Sequence, residues 1–170
     1  LYAVDGDALA LPQPRPYRSY LEWLSAQDPQ VSVDAWAKAL GGVEEPTLLA
    51  PAHTETAPVL TPGELVIDLP DDLLDDMTAR SRELGVTMNT LVQAAWGIVL
   101  GRLTGRDDVV FGTTVSGRPP QVPGIESMLG LFINTLPVRV RVPADDVVRT
   151  LLDRIHHEQT ELLGHHHLGL

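Results

Sequence analysis

The chain has 170 residues, enough for one domain with a real core, and its 12 basic against 23 acidic side chains leave a formal charge of −11. That balance argues against a nucleic-acid footprint and a polybasic membrane anchor, and the absence of cysteine excludes disulfides, thiol nucleophiles and cysteine-based metal sites. No apolar run approaches the ~20 residues of a membrane span, and the opening LYAVDGDALALP has neither a signal peptide's pattern nor an initiator methionine, so a cytoplasmic piece of a longer protein is expected.

Pro12 to Arg15 reads as an extended connection. Tyr17, Tyr20, Leu21 and Leu24 then recur at helical spacing, so a short amphipathic helix is expected after Pro16. Trp36, Ala39 and Leu40 predict a second helix from about Ser32, closed by Gly41-Gly42. Residues 44–63 hold four prolines with no sustained periodicity and are expected to be an irregular internal loop. Glu64 to Leu69 alternates, with Leu65, Ile67 and Leu69 on one face, the pattern of a half-exposed strand near a sheet edge.

Asp71 and Asp72 sit where carboxylates favour a helix start, and Leu73, Leu74, Met77 and Leu84 predict its buried stripe before Gly85. Thr87 can cap a second helix. In it Leu91, Val92, Ala95, Trp96, Val99, Leu100 and Leu103 repeat until Gly105, so this helix is expected to be largely buried. A third long helix is expected from Asp145-Asp146 to about Gly164.

The most informative stretch runs from Asp107 to Val142. Asp108 to Ser116 carries valine, phenylalanine and threonine on both faces and reads as a buried central strand; Leu131 to Val142 reads as its counterpart. Gly117-Arg118-Pro119-Pro120 and Pro123-Gly124 impose a long irregular connection between them, of the kind that lines a cavity. The alternation of helices and strands predicts a layered α/β arrangement, a mixed sheet with packed helices.

Candidate chemistry is sparse. His156-His157-x-x-x-Glu161-Leu162 falls inside a helical repeat, where adjacent side chains point about 100° apart, and predicts rim histidines. His165-His166-His167 lacks the further ligands a zinc site needs, so no metal is expected. The pairs Asp71-Asp72, Asp75-Asp76 and Asp145-Asp146 fit helix starts better than catalysis. Asn134 and Thr135 head a buried strand, where amide and hydroxyl groups can serve either a substrate or the neighbouring backbone. Arg118 is open to the same two readings.

Gly130-Leu131-Phe132-Ile133-Asn134-Thr135-Leu136-Pro137-Val138-Arg139 closely resembles a core motif of the condensation domains of non-ribosomal peptide synthetases, with Ile133 a conservative departure. Asp108 to Gly112 with Ser116-Gly117-Arg118-Pro119 resembles the segment before it. Tyr17 to Trp23 is similar to a third motif, with Ser19 where aspartate is common and Leu21 where alanine is common. These matches fall in family order.

The resemblance implies half of a chloramphenicol-acetyltransferase-like fold: residues 1–170 would be the core of the C-terminal lobe, cut at both ends. It implies amide formation between a donor acyl group and an acceptor amine, both carried as thioesters on phosphopantetheine arms of partner carrier domains, with no cofactor bound directly. Ser116, Gly117, Arg118, Asn134 and Thr135 would line the substrate channel, and Tyr17, Tyr20, Trp23, Gly130, Phe132 and Arg139 would be structural. The family's catalytic His-His-x-x-x-Asp-Gly motif is not in this sequence, so no catalytic residue is assigned. The other lobe of the same domain is an implied partner, and an open sheet edge would favour self-association. Two alternatives share these residues: a carrier-recruitment module without catalysis, and another acyltransferase of the same fold.

Overall fold

In the computed structural model, residues 13–50 and 63–168 are described. Five α-helices and two strands follow in chain order: α1 (Arg18–Ser25), α2 (Pro29–Ala39), α3 (Asp71–Leu84), α4 (Met88–Thr104), β1 (Asp108–Val115), β2 (Asn134–Arg141) and α5 (Val148–Leu162), with short 3₁₀ turns at Ile125–Ser127 and Leu163–His165.

The helix ends follow local chemistry. The Asp28 carboxylate accepts from the Gln30 amide and Pro29 takes the first helical position, so α2 begins three residues before the expected Ser32. Thr87 caps α4 by accepting from the Thr90 amide at 3.1 Å, and Gly85 and Gly105, both at φ 70°, stop α3 and α4. Asp71 and Asp72 lie in the first turn of α3 as expected. Asp145-Asp146 does not cap α5: the helix starts at Val148, and Asp146 is paired with Arg154 instead.

Strands β1 and β2 form an antiparallel ribbon in which Val109 faces Val140, Phe111 faces Val138, Thr113 faces Leu136 and Val115 faces Asn134. The expected mixed sheet is therefore corrected: among the described residues the sheet has two strands, both antiparallel. Nor is β1 buried on both faces. Val109 is buried, whereas Gly112 and Thr114 on the opposite face are exposed, because helices cover one side only. Its outer edge is partly closed by Thr47, whose hydroxyl accepts from the Val110 amide at 2.9 Å.

Helices α4 and α5 pack on the covered face around Val86, Ala94, Leu100, Val109, Val138, Val140, Leu151, Leu152 and Ile155. The approach of α4 depends on a missing side chain. A Cβ at Gly97 would lie 2.4–2.8 Å from the Val140 side chain, so only glycine lets the helix axis come this near the ribbon. The inward face of α4 is thus Thr90, Gln93, Ala94, Gly97 and Leu100. The apolar stripe named from the sequence is mostly the other face: Val92, Trp96, Val99 and Leu103 are exposed. Both faces are apolar, and small residues win the contact because they permit close packing.

Two further expectations are corrected nearby. Leu73 and Leu74 on α3 are exposed rather than a buried stripe, and the inward residue of α3 is Ser81. Residues 64–69 form no strand: the segment is irregular and unpaired among the described residues, with Leu65 83%, Ile67 70% and Leu69 60% exposed. Of the loop expected at 44–63, residues 44–50 are irregular and 51–62 lie outside the described residues. No single described helix is long and apolar enough to cross a membrane.

Candidate functional site

The register that pairs Val115 with Asn134 and Thr114 with Thr135 brings all five candidate channel residues to one end of the ribbon. Ser116, Gly117 and Arg118 leave β1 there, and Asn134 and Thr135 open β2. Gly117 is required by its surroundings: φ is 59°, and a Cβ would sit 1.9 Å from the Phe132 carbonyl oxygen. The chain can only turn this tightly without a side chain.

Arg118 looks inward over the connecting loop. Its guanidinium donates to the carbonyls of Ile125 and Met128 and stands 4.0 Å from the centre of the Phe132 ring. The loop encloses a small core of its own, Val122, Ile125, Met128 and Phe132, completed by Tyr20 of α1. Phe132 meets Tyr17 and Tyr20 edge-on at 5.1 and 5.0 Å, and Tyr20 stacks on Trp23 at 6.1 Å. The Tyr17 hydroxyl donates to the Leu131 carbonyl at 2.8 Å while its ring lies against Gly130, where a Cβ would approach to 2.2 Å. Burial, with Tyr17 adding to it, raises the Tyr20 phenol above its ordinary value. The loop expected to line a cavity is thus packed on itself.

Asn134 has used both of its N–H donors. Its amide nitrogen donates to the carbonyls of His166 at 2.9 Å and Leu168 at 2.8 Å, and its oxygen accepts from the Thr135 amide at 2.9 Å. It holds the histidine turn against the ribbon. By contrast, the exposed hydroxyls of Ser116 and Thr135 have no hydrogen-bond partner among the described residues.

The histidines follow from that turn. His165 Nδ1 lies 3.0 Å from the Ser32 hydroxyl, the Trp36 indole donates to the His165 carbonyl at 3.2 Å, and His167 meets Trp23 edge-on at 5.3 Å. Burial, then the charge of neighbouring imidazoles, lowers His166 below the ordinary range; burial also lowers His167. His157 is exposed and 3.4 Å from Glu161, while His156 is half-buried. Among the described residues, no three histidine, aspartate or glutamate side chains are grouped to hold a metal ion.

Arg139 ties three elements together. It forms a two-pronged pair with Asp108 at 2.6 and 2.9 Å and donates to the carbonyls of Ala39 and Gly41 at the end of α2. The hydrogen bond from Arg139 lowers the Asp108 carboxyl below its ordinary value of 3.8.

Sequence reasoning missed a hollow with mostly apolar walls. A cavity of about 350 Å³ lies under the ribbon between α2, α4 and α5, walled by Trp36, Val115, Leu136, Val138 and Ile155. Its polar lining includes Gln93, Thr113, His156, Gln159 and His166, and none of the five channel candidates borders it. Gln93, 5% exposed, was the available signal: it is a polar residue on the small-residue face of a helix.

The family model for the condensation domain matches residues 1–170. The chain is 42% identical over 165 residues to a linear gramicidin synthase of Brevibacillus parabrevis, covering 95% of this chain and 2% of that protein. It is 43% identical over 138 residues to a mycosubtilin synthase of Bacillus subtilis, covering 81% of this chain and 5% of the relative. The fold superposes on the first condensation domain of the calcium-dependent antibiotic synthetase, solved in complex with a substrate analogue, with TM-score 0.75 at 21% identity, over 94% of this chain and 36% of that one. Helices on one face of a small antiparallel ribbon are the architecture shared. The chain belongs to the condensation domain family, whose members sit in synthetases of peptide antibiotics and other secondary metabolites. It spans only a few per cent of the length of these synthases and about a third of the solved domain.

Proposed function

We propose that this chain is part of an amide-bond-forming condensation domain of a non-ribosomal peptide synthetase, acting in the cytoplasm as half of a chloramphenicol-acetyltransferase-like fold. The observation that carries this reading is the condensation-domain match along the whole sequence. The domain joins a donor acyl thioester to an acceptor aminoacyl thioester, each delivered on the phosphopantetheine arm of a carrier domain.

In this reading Ser116, Gly117, Arg118, Asn134 and Thr135 shape one wall of the substrate channel. Their gathering at one ribbon end and the unpartnered hydroxyls of Ser116 and Thr135 support it. Arg118 and Asn134 act as positioning residues, since their own hydrogen bonds go to the loop and to the histidine turn. Aminolysis of a thioester needs two reactants held in line, which a wall can supply, and a base, which comes from the other lobe.

The test supplies purified chain with loaded donor and acceptor carriers. No amide product is expected from the chain alone, and product is expected when the chain is joined to the complementary lobe. Turnover by the chain alone overturns the dependence on a second lobe. Ester or coenzyme A-dependent products from the joined form would instead support a different acyltransferase, and carrier binding without any product would support recruitment.

A further inference from the structure

We propose that the cavity beneath the ribbon is a binding site for an uncharged aliphatic amide. The walls are apolar, and a volume of about 350 Å³ is within the range of small-molecule sites. Its two fully charged lining residues are already neutralised: Arg139 is paired with Asp108, and Glu158 with Arg141. Burial disfavours the charged form of His166. A charged ligand would therefore lose its hydration with no counter-charge to meet.

The polar end of the cavity is built for an amide in particular. Gln159 donates its amide N–H to the Gln93 oxygen, and the Gln93 nitrogen in turn donates to the Thr113 hydroxyl at 3.4 Å. Among the functions still open beside the Gln93 amide are the Gln159 carbonyl oxygen as an acceptor and, as donors, the proton of the Thr113 hydroxyl, which accepts from Gln93, and the second N–H of each glutamine amide. A ligand amide has the complementary pair, one N–H and one C=O. Its aliphatic part would lie along Leu136, Val138 and Ile155. This site concerns binding by the chain itself and does not depend on amide formation.

The experiment titrates isotope-labelled full chain with N-hexylacetamide, hexanoate and hexylammonium, following side-chain amide and imidazole resonances. N-hexylacetamide should shift the Gln93, Gln159 and His156 signals saturably and bind about tenfold more tightly than either ion, as one or two buried hydrogen bonds would give. Gln159→Leu should erase most of that preference. Ala39→Phe, which fills the cavity from the end of α2, should abolish binding with the backbone spectrum retained. Should the filled variant misfold, Thr113→Val provides the second test, with about a tenfold loss for the amide expected. Equal affinity for the three probes, no saturable shift at these residues, or unaltered amide binding in Gln159→Leu or Thr113→Val overturns the proposal. Failure here leaves the condensation reading intact, because no turnover is measured.

Discussion

Two regions meet at the ribbon and solve the packing problem in opposite ways. The loop between β1 and β2 closes tightly: Gly117 admits the Phe132 carbonyl and Gly130 the Tyr17 ring at distances no Cβ could survive, and Arg118 and Tyr17 tie its carbonyls down. The space between the ribbon, α4 and α5 is also glycine-dependent at Gly97, yet keeps a hollow lined by amides. Most residues carrying the family motifs lie in or around the closed region. The lesson is that one motif does two jobs: its first half closes the loop, while Leu136 and Val138 wall a hollow whose other sides come from helix residues that no motif marks.

The sharpest way to break this contrast is Gly117→Ala. A methyl there meets the Phe132 carbonyl and a left-handed backbone, and a loss of about 3 kcal/mol is expected in urea unfolding. A loss under about 1 kcal/mol would mean the loop is not closed as described. Next in size, Gly97→Ala should cost about 2 kcal/mol, the overlap with Val140 outweighing the gain in helix propensity. A double-mutant cycle with Val140→Ala should show coupling of about 1 kcal/mol; additivity would separate the two positions.

The Asp108–Arg139 pair tests the seam between the regions by pH. Its carboxyl is lowered in the folded state, so as pH falls below 3.8 the unfolded chain takes up the proton first. The pair's stabilisation is fully present above that value and is lost as pH drops through the folded one. His166 and His167 are also lowered, so they add a separate decline as pH falls below 6.5. Asp108→Asn should lose about 1 kcal/mol at pH 6, since the carboxylate is partly exposed, and should show a flatter decline as pH falls below 3.8. An unchanged acid slope in urea midpoints would assign that slope elsewhere.

The smallest effect on stability is expected at the unpaired segment, where Leu65→Ser, Ile67→Thr and Leu69→Ser together should alter unfolding by under about 0.5 kcal/mol. Their effect should appear in association. An open apolar strand-like segment favours pairing between copies, so light scattering should report self-association in the parent chain and less in the triple variant. A monomer at high concentration in both would remove the self-pairing expectation.

Much of this fold is legible in the sequence wherever the controlling chemistry is local. Thr87, Gly85 and Gly105 mark helix ends through single side-chain or φ requirements, and the ribbon strands appear from β-branched runs. The reading fails where two faces compete. Helix α4 offers apolar residues all round, and only the three-dimensional approach to Val140 decides that Gly97 and Ala94 turn inward. It fails again where a partner decides: residues 64–69 alternate like a strand but have none among the described residues. Within the candidate site, only the resemblance groups Ser116 to Arg118 with Asn134 and Thr135; their clustering rests on an antiparallel register that the sequence leaves open. That Asn134 would spend its amide on His166 and Leu168, and that Gln93 and Gln159 would meet across a cavity, depends on contacts 32 to 66 positions apart.

The Tyr17 hydroxyl and the Leu131 carbonyl are 114 positions apart in the chain. Closing so long a loop costs chain entropy before any aromatic contact rewards it. The ribbon and α4, linked over short stretches, can assemble earlier. The aromatic cluster, like the contacts of Ser32 and Trp36 with His165 across 133 and 129 positions, is therefore expected to form after the ribbon and to open before it. Amides of α1 should exchange with solvent through partial opening well below the free energy that protects Val109 and Val140, making the motif-rich end of the domain its kinetic latch.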